Sequence, residues 1–258
     1  MAGAIVVTGG ASGIGRSVVE AVLSAGWKAA VFDLPGTALE EVRVAFDPAR
    51  VRCTAVDVAA EDRVAAEIAA IERDFAPIEG VVNSAGIACD MPALETGTDV
   101  FRRILEVNVI GSFVVAREAA RFMRGRGGAI VNIASVSGIR GNEGRVAYGA
   151  SKGAVLAMSR ILAVEFAPIG IRVNVVAPGP IDTPLARAVH DETARKTWIS
   201  SVPMRRYGAP EDIAAATVFL LDDSRSGYVT GQTICVDGGF TAAGIMTGKS
   251  LASVRGPA

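Results

Sequence analysis

The sequence is poor in the residues that build metal sites and nucleophilic triads. It contains one histidine, His190, and three cysteines among 258 residues. A single histidine without further clustered ligands makes neither a zinc site nor a Ser–His triad. The cysteines are odd in number and lack metal-ligand spacing, so we expect a reduced protein with no metal. His190 is expected on a mobile substrate loop or on the surface.

Strong net charge and long apolar runs are also missing. The net charge is −1 and the arginines are scattered, so we expect neither nucleic-acid binding nor a membrane-binding face. No run of about 18 apolar residues is present, which argues against a membrane-spanning helix. The first strand-like segment begins at residue 4 and leaves no room for a signal peptide. We therefore expect a cytoplasmic globular protein.

The chain does have a regular alternation of short apolar runs and helical patterns. Runs that are apolar on both faces and separated by helices predict a parallel sheet with helices on both faces. The crossover rule then favours a Rossmann-like, doubly wound α/β fold in one domain. Residues 1–243 are assigned to this domain and residues 244–258 to a C-terminal tail. The seven predicted strands are 4–8, 28–32, 51–56, 80–83, 129–134, 171–177 and 232–236.

A glycine-rich turn joins the first predicted strand to the first helix. Residues 8–15 read TGGASGIG, and Gly9, Gly13 and Gly15 let the backbone turn tightly beside a pyrophosphate at the helix N-terminus. Asp33 ends the second strand, eighteen residues after Gly15, where a carboxylate suits the hydroxyls of an adenosine ribose. A 2′-phosphate would be repelled there, and the turn carries no Arg or Lys. The expected cofactor is therefore NAD rather than NADP.

A serine, a tyrosine and a lysine form a candidate reacting group. Tyr148 and Lys152 are four residues apart and share one face of a predicted helix. A phenol is a weak base at neutral pH, and a neighbouring ammonium favours its ionised form. Ser135 lies thirteen residues before Tyr148. Taken singly, each residue also fits a plain role as a helix-surface pair or a loop hydroxyl.

Further motifs follow the strands in order. They are Asp57-Val58, Asn83-Ser84-Ala85-Gly86, Asn108, Pro178-Gly179 with Ile181 and Thr183, Tyr228-Val229-Thr230-Gly231 and Asp237-Gly238-Gly239. With TGGASGIG, Ser135, Tyr148 and Lys152, they resemble the short-chain dehydrogenase/reductase family over about residues 4 to 240. Ser84 departs from the family, which has a second Asn there.

The resemblance implies a role for each matching residue. Tyr148 would be the general base in alcohol oxidation and the general acid in ketone reduction. Lys152 would hold the nicotinamide ribose and favour tyrosinate, and Ser135 would hydrogen-bond the substrate oxygen. Asn108 would hold a water that links Lys152 to solvent. The implied cofactor-binding residues are Gly9, Ser12, Gly13, Ile14, Gly15, Asp33, Leu34, Asp57, Val58, Asn83, Ala85, Gly86, Tyr148, Lys152, Pro178, Gly179, Ile181 and Thr183.

The resemblance also places the substrate between loops. Asp90, Arg140 and Asn142 would make the mouth of this pocket polar, which favours a polyol, sugar-like or hydroxy compound over a long lipid. Residues 181–204 would form a lid that closes on the substrate. The implied substrate residues are Cys89, Ser137, Ile139, Asn142 and Leu185.

Three functions remain open from the sequence. The first is an NAD-dependent dehydrogenase of a small secondary alcohol. The second is an NADPH-dependent carbonyl or 3-oxoacyl thioester reductase, and the third is a non-catalytic dinucleotide sensor or scaffold. The resemblance further implies a homodimer or homotetramer, formed through helices near 101–123 and 148–166. Apolar residues expected in those contacts are Phe113, Val114, Val155, Leu156 and Leu162.

Overall fold

A parallel sheet of seven strands lies at the centre of the computed structural model, which describes residues 3–246. The strands are β1 (Ala4–Thr8), β2 (Lys28–Asp33), β3 (Val51–Ala55), β4 (Ile78–Asn83), β5 (Gly128–Ile133), β6 (Ile171–Pro178) and β7 (Thr233–Val236). Their order across the sheet is β3-β2-β1-β4-β5-β6-β7. The predicted doubly wound α/β fold is thereby confirmed.

Helices cover both faces of this sheet. They are α1 (Gly13–Ser24), α2 (Thr37–Ala45), α3 (Glu61–Asp74), α4 (Thr98–Leu105), α5 (Ser112–Met123), α6 (Val146–Phe166), α7 (Pro184–Val189), α8 (Glu192–Ser201), α9 (Pro210–Leu221) and α10 (Asp223–Ser226).

Successive residues of the central strands pack into two separate cores, one on each face of the sheet. On β1, Ile5 and Val7 pack with residues of α1 and α9, whereas Ala4 and Val6 pack with residues of α3 and α5. All four side chains are at most 1% exposed. Because both faces are covered, the strands read as continuous apolar runs rather than as alternating patterns.

The winding direction of the chain reverses between β1 and β4. Strand β1 pairs in parallel with β2 on one side and with β4 on the other. The loops that follow β1 and β4 therefore diverge and leave a crevice at the carboxyl edge of the sheet. At this edge, Asp33 ends β2, and the glycine-rich turn and Ser135 follow β1 and β5.

The helices expected to join subunits differ from expectation in two respects. The predicted helix 101–123 is divided, because a π-helical stretch, Glu106–Gly111, separates α4 from α5. Four of the apolar residues expected at subunit contacts are buried in the chain's own cores, so they are not available to a partner: Val114, Val155, Leu156 and Leu162. The fifth, Phe113, is exposed, and the other exposed large apolar residues of these helices are Ile110, Val146, Ile161 and Val164.

Two sequence expectations concern the membrane and the C-terminus. Across residues 3–246, no helix combines the length and the apolar composition needed to cross a membrane. Of the predicted tail, 244–258, only the first three residues belong to the described part of the chain. The remainder of that prediction lies outside the described residues.

Candidate active site

A cleft of about 470 Å³ opens at the carboxyl edge of the sheet. Its walls come from the turn after β1, the ends of β2 and β5, the loop after β4, and helix α6. Residues 181–204, which we call the lid, close one side and contain α7 and α8. Thr183 and Asp191 are the N-caps of these two helices, and each side chain accepts a hydrogen bond from a backbone N–H in the first turn.

The turn after β1 has a shape that only glycine allows. Gly9 and Gly13 have φ angles of +65° and +52°, in the left-handed region. A Cβ on Gly15 would overlap the carbonyl oxygen of Gly9. The backbone is therefore packed closely enough to bring the N-terminus of α1 to the cleft, where it can hold a phosphate.

Asp33 ties the end of β2 to this turn. One carboxylate oxygen accepts a hydrogen bond from the N–H of Ala11 at 2.9 Å, and the other accepts from the N–H of Leu34 at 2.8 Å. Each oxygen retains a further lone pair that can accept from a hydroxyl. Asp33 thus lines the cleft as a fixed, negatively charged acceptor.

Asp57 and Arg103 form a second charged pair on the cleft wall. Their side chains are 3.0 Å apart. The pKa of Asp57 is lowered, first by a hydrogen bond from the N–H of Ala59 and then by Arg103. Arg103 was not anticipated from the sequence, because it lies on α4, 46 residues beyond its partner.

The ammonium of Lys152 is buried beside the tyrosine ring. Its nitrogen donates to the carbonyl of Ile133 at 2.8 Å and lies 5.7 Å from the centre of the Tyr148 ring. The residue is 5% exposed, and burial lowers its pKa to about 8. A buried ammonium beside a phenol stabilises the phenolate, which suits proton transfer.

Burial also raises the pKa of Tyr148, whereas two neighbours oppose this shift. A hydrogen bond with the Ser135 hydroxyl lowers the pKa, as does the positive charge of Arg145. Ser135 is only 8% exposed and its hydroxyl oxygen accepts from the N–H of Ser137 at 3.1 Å. Ser135, Tyr148 and Lys152 therefore meet in the cleft, as the sequence suggested.

Asn108 lies behind the cleft in the π-helical stretch and is 1% exposed. Its amide oxygen accepts from the N–H of Ile87 at 2.8 Å, and its amide nitrogen donates to the Ile87 carbonyl and to the Ser151 hydroxyl, each at 3.0 Å. The Ser151 hydroxyl in turn donates to the carbonyl of Tyr148 at 2.7 Å. Asn108 thus connects the loop after β4 to the first turns of α6.

The proposed coenzyme residues fall on the cleft wall with one exception. Within the described chain, Asn83 does not line the cleft and is 2% exposed. Its amide nitrogen donates to the Ser112 carbonyl and to the Asn132 side chain, at 3.0 and 2.8 Å. Asn83 therefore joins β4 to β5 and α5.

The proposed substrate residues are divided by the structure. Ser137 and Leu185 line the cleft, whereas Cys89, Ile139 and Asn142 lie outside its wall among the described residues. The Asn142 amide donates to the Ser137 hydroxyl at 2.9 Å, so Asn142 contacts a residue of the cleft wall without lining the cleft itself.

Three residues that sequence reasoning left aside also line the cleft. They are Arg145, His190 and Trp198. The spacing of Arg145 three residues before Tyr148 was a usable signal, because it places both on one helix face. The approach of His190 on the lid to α6 had no such signal, since 45 residues separate it from Arg145.

Comparison with known proteins finds relatives that are named as dehydrogenases or reductases. Residues 9–241 match the family model described as enoyl-(acyl carrier protein) reductase. Galactitol 2-dehydrogenase (L-tagatose-forming) of Cereibacter sphaeroides is 40% identical, over 91% of this chain and 93% of its own. The 3-oxoacyl-(acyl-carrier-protein) reductase of Mus musculus is 37% identical, over 91% of this chain and 96% of its own.

A solved structure and a longer relative extend this comparison. The crystal structure of levodione reductase has a TM-score of 0.88 and 33% identity, covering 94% of this chain and 98% of that one. The uncharacterized short-chain type dehydrogenase/reductase y4vI of Sinorhizobium fredii is 39% identical over 98% of this chain, which spans 46% of that relative.

Proposed function

Because the chain belongs to the short-chain dehydrogenase/reductase family of NAD(P)-dependent oxidoreductases, we propose that it interconverts a small secondary alcohol and its ketone with NAD. The observation that carries this proposal is the meeting of Ser135, Tyr148 and Lys152 on one wall of a cleft whose other wall is a glycine-rich phosphate turn. The bound nicotinamide would accept the hydride in oxidation and supply it in reduction.

The chain's own residues would manage the proton and the substrate oxygen. In oxidation, Tyr148 takes the hydroxyl proton while the carbon–hydrogen bond breaks, and in reduction it returns that proton. Ser135 donates to the substrate oxygen and stabilises the charge that develops there. Lys152 stabilises the phenolate and holds the coenzyme ribose, and Asn108 fixes the backbone on which Tyr148 and Ile87 sit.

The proposed preference for NAD rests on Asp33. Its carboxylate lies at the end of β2 with both oxygens already oriented by backbone N–H groups. Ribose hydroxyls can donate to it, whereas a 2′-phosphate would meet like charge. The nearby cation Arg16 is engaged elsewhere, with its guanidinium 2.9 Å from Glu20 and 4.6 Å from the centre of the Phe46 ring.

The proposed substrate is small and polar. Beside Tyr148 the cleft wall includes Arg145 and His190, which supply charged and hydrogen-bonding groups, and Trp198, whose ring lies next to that of His190. These features suit a polyol or hydroxy compound, the class to which galactitol in the name of one relative belongs. The second candidate is reduction of a 3-oxoacyl thioester, which the name of another relative favours.

Coenzyme titration followed by activity assay tests the proposal. Nicotinamide fluorescence should give a dissociation constant for NADH at least about tenfold below that for NADPH, and Asp33→Ser should narrow this ratio by about tenfold. NAD should then support oxidation of members of a polyol panel that includes galactitol. Preference for NADPH with turnover of acetoacetyl-coenzyme A would establish the reductase instead. Coenzyme binding without turnover in either assay would favour a sensor.

Assembly and location stay proposals. The exposed side chains of Ile110 and Phe113, together with those of Ile161 and Val164 on α6, support a homodimer or homotetramer built on these helices. Solution scattering at micromolar concentration should give at least twice the monomer mass. A cytoplasmic location remains the expectation from the sequence.

A further inference from the structure

Arg145 joins three separate parts of the cleft. It lies at the N-terminus of α6, one turn before Tyr148, and its guanidinium carbon is 5.3 Å from the centre of the tyrosine ring. Its Nε lies 2.6 Å from a carboxylate oxygen of Asp90, in the loop after β4. The Arg145 side chain is 10% exposed, whereas that of Asp90 is 37% exposed, so the guanidinium is the shielded partner of this ion pair.

The third contact of Arg145 is with the lid. Its Nη2 lies 2.8 Å from Nε2 of His190. A guanidinium only donates hydrogen bonds, so Nε2 must be the acceptor and must carry no proton. The other ring nitrogen, Nδ1, lies 3.0 Å from the Tyr207 hydroxyl and carries the proton of the neutral ring. The geometry therefore requires an uncharged imidazole.

This contact holds the middle of the lid. The base of the lid is fixed by backbone pairing of Ile181 with Gly208, and its far end by the N–H of Met204, which donates to Gly238. Between these ends, among the described residues, His190 is the one side chain of 184–200 that hydrogen-bonds a residue outside 181–207. Trp198 adds an aromatic contact with Phe240, at 5.2 Å between ring centres.

We propose that Arg145 is a positioning residue that latches the lid over Tyr148, and that the latch holds only while His190 is uncharged. Arg145 acts through His190 on the lid and through its charge on the tyrosine. The proposal rests on the proposed function only in that the residue beneath the lid is the reacting one. Its geometry is independent of the coenzyme and the substrate.

Charged and titratable groups face His190 from each element packed around it. Arg145 comes from α6, Asp90 from the loop after β4, and Arg195 from α8, while Asp191 is its neighbour in the chain and Tyr207 follows the lid. Burial lowers the pKa of His190 below 6.5; the positive charge of Arg145 lowers it further, and Asp90 opposes the shift. Both the burial and the cation favour the neutral ring that the latch needs.

The sign of the pH dependence follows from this direction. An open lid returns His190 to water and to its ordinary pKa of 6.5, whereas the closed lid lowers that pKa. The open form therefore binds more protons below pH 6.5. Closure is fully stabilised above pH 6.5 and weakens as the pH falls through the lowered pKa of the closed form.

Trp198 offers a direct reporter of this titration, because its ring centre lies 5.8 Å from that of His190. In a Trp27→Phe background it is the remaining tryptophan of the chain. A protonated imidazole quenches indole emission more strongly than a neutral one. Emission of the coenzyme-free protein should fall in one transition with a midpoint below pH 6.5. His190→Gln, which keeps an acceptor but cannot be charged, should abolish that transition.

Arg145→Gln separates a latch from a merely structural arginine. Removing the guanidinium removes the charge that lowers the pKa of His190 most and leaves the opposing effect of Asp90, so the midpoint should move to higher pH. An arginine that packs without contacting His190 would leave the midpoint unchanged, and an unchanged midpoint would overturn the proposal. A transition that persists in His190→Gln would overturn it equally.

Hydrogen exchange measures the latch itself. At pH 7.5, amides of 184–200 should exchange at least about fivefold faster in Arg145→Gln and in His190→Lys, whereas His190→Gln should match the starting protein within about twofold. Slow exchange in His190→Lys would contradict the requirement for an uncharged ring. None of these measurements needs a substrate, so their failure is distinct from failure of the proposed function.

Discussion

The two sides of the cleft are built in different ways. The inner wall, formed by the end of β5 and by α6, presents Ser135 and Lys152 at 8% and 5% exposure. The lid opposite presents Leu185 and Met204 at 46% and 66% exposure. Buried polar groups on the inner wall are held by specific hydrogen bonds, whereas the lid is joined to the rest of the chain by few contacts.

The charged groups on the two sides of the cleft also differ in their exposure to water. Lid charges such as Asp182 and Arg187 pair near the surface, with side chains 38% and 65% exposed. Such pairs contribute little, about 0–1 kcal/mol, because water screens them. The ammonium of Lys152 is shielded from water and its charge costs folding free energy. We propose that the inner wall carries the chemistry and the lid selects the substrate, and substitutions on each side should separate these properties.

Tyr148→Phe should produce the largest effect, on turnover alone. The change removes the hydroxyl that carries the proton but retains the ring between Arg145 and Lys152. We expect kcat to fall by at least about 1000-fold, since general acid–base catalysis contributes on the order of 100- to 10,000-fold and no other phenol lines the cleft wall in residues 3–246.

The control for Tyr148→Phe is coenzyme affinity. The dissociation constant for NADH, measured by nicotinamide fluorescence, should stay within about twofold of the starting value. Residual kcat above about one-tenth would mean that another group moves the proton.

Lys152→Met should stabilise the protein while inactivating it. Burial lowers the pKa of this lysine from 10.5 to about 8, so its charged form costs about 3 kcal/mol of folding free energy at neutral pH. The substitution leaves the Ile133 carbonyl without its donor, which offsets about 1–3 kcal/mol. We expect a net gain of about 1 kcal/mol at pH 7.

The stability gained in Lys152→Met should depend on pH. Between pH 8 and pH 10.5 the lysine is deprotonated in the folded protein but still protonated in the unfolded chain, so the folded protein regains stability across this range. The advantage of Lys152→Met over the unchanged protein should therefore shrink across this range in urea unfolding of the coenzyme-free proteins. Lys196→Met, at a side chain that is 75% exposed, is the matched control and should change nothing. A loss of stability in Lys152→Met at pH 7 would contradict the cost assigned to the buried charge.

The inner wall was also the part that the sequence predicted well. Segments buried on both faces identify the strands, and residues that follow parallel strands must meet at one edge of the sheet. Gly15 and Ser135 could be placed for this reason, as could Tyr148 and Lys152 from helical spacing. Asn83 was misplaced in the cleft, because a polar residue at a strand end can turn either towards a ligand or into the sheet, and here it bonds Ser112 and Asn132.

The lid was predictable only as a segment. Its charged and apolar residues give no clear face, so the sequence could not assign His190 to the cleft rather than to the surface. The contact of His190 with Arg145 depends on how two distant loops fold back on α6. Cys89 and Ile139 were expected on the substrate wall from the family resemblance. They lie outside it, because the direction of a loop is set by long-range contacts that the sequence does not reveal.

Leu185→Asp should give the smallest effect on the fold and a selective effect on substrate. Leu185 lines the cleft from α7 and is 46% exposed, so the unfolding free energy should change by less than about 0.5 kcal/mol. Relative kcat/KM values among panel alcohols should shift by about tenfold, or about 1.4 kcal/mol, whereas NADH affinity should change by less. Leu94→Asp, at a fully exposed leucine outside the cleft wall of the described chain, is the matched control. If both variants kept the starting substrate profile, residues of the inner wall would have to select the substrate. The proposed separation of chemistry and substrate selection between the two sides of the cleft would then be wrong.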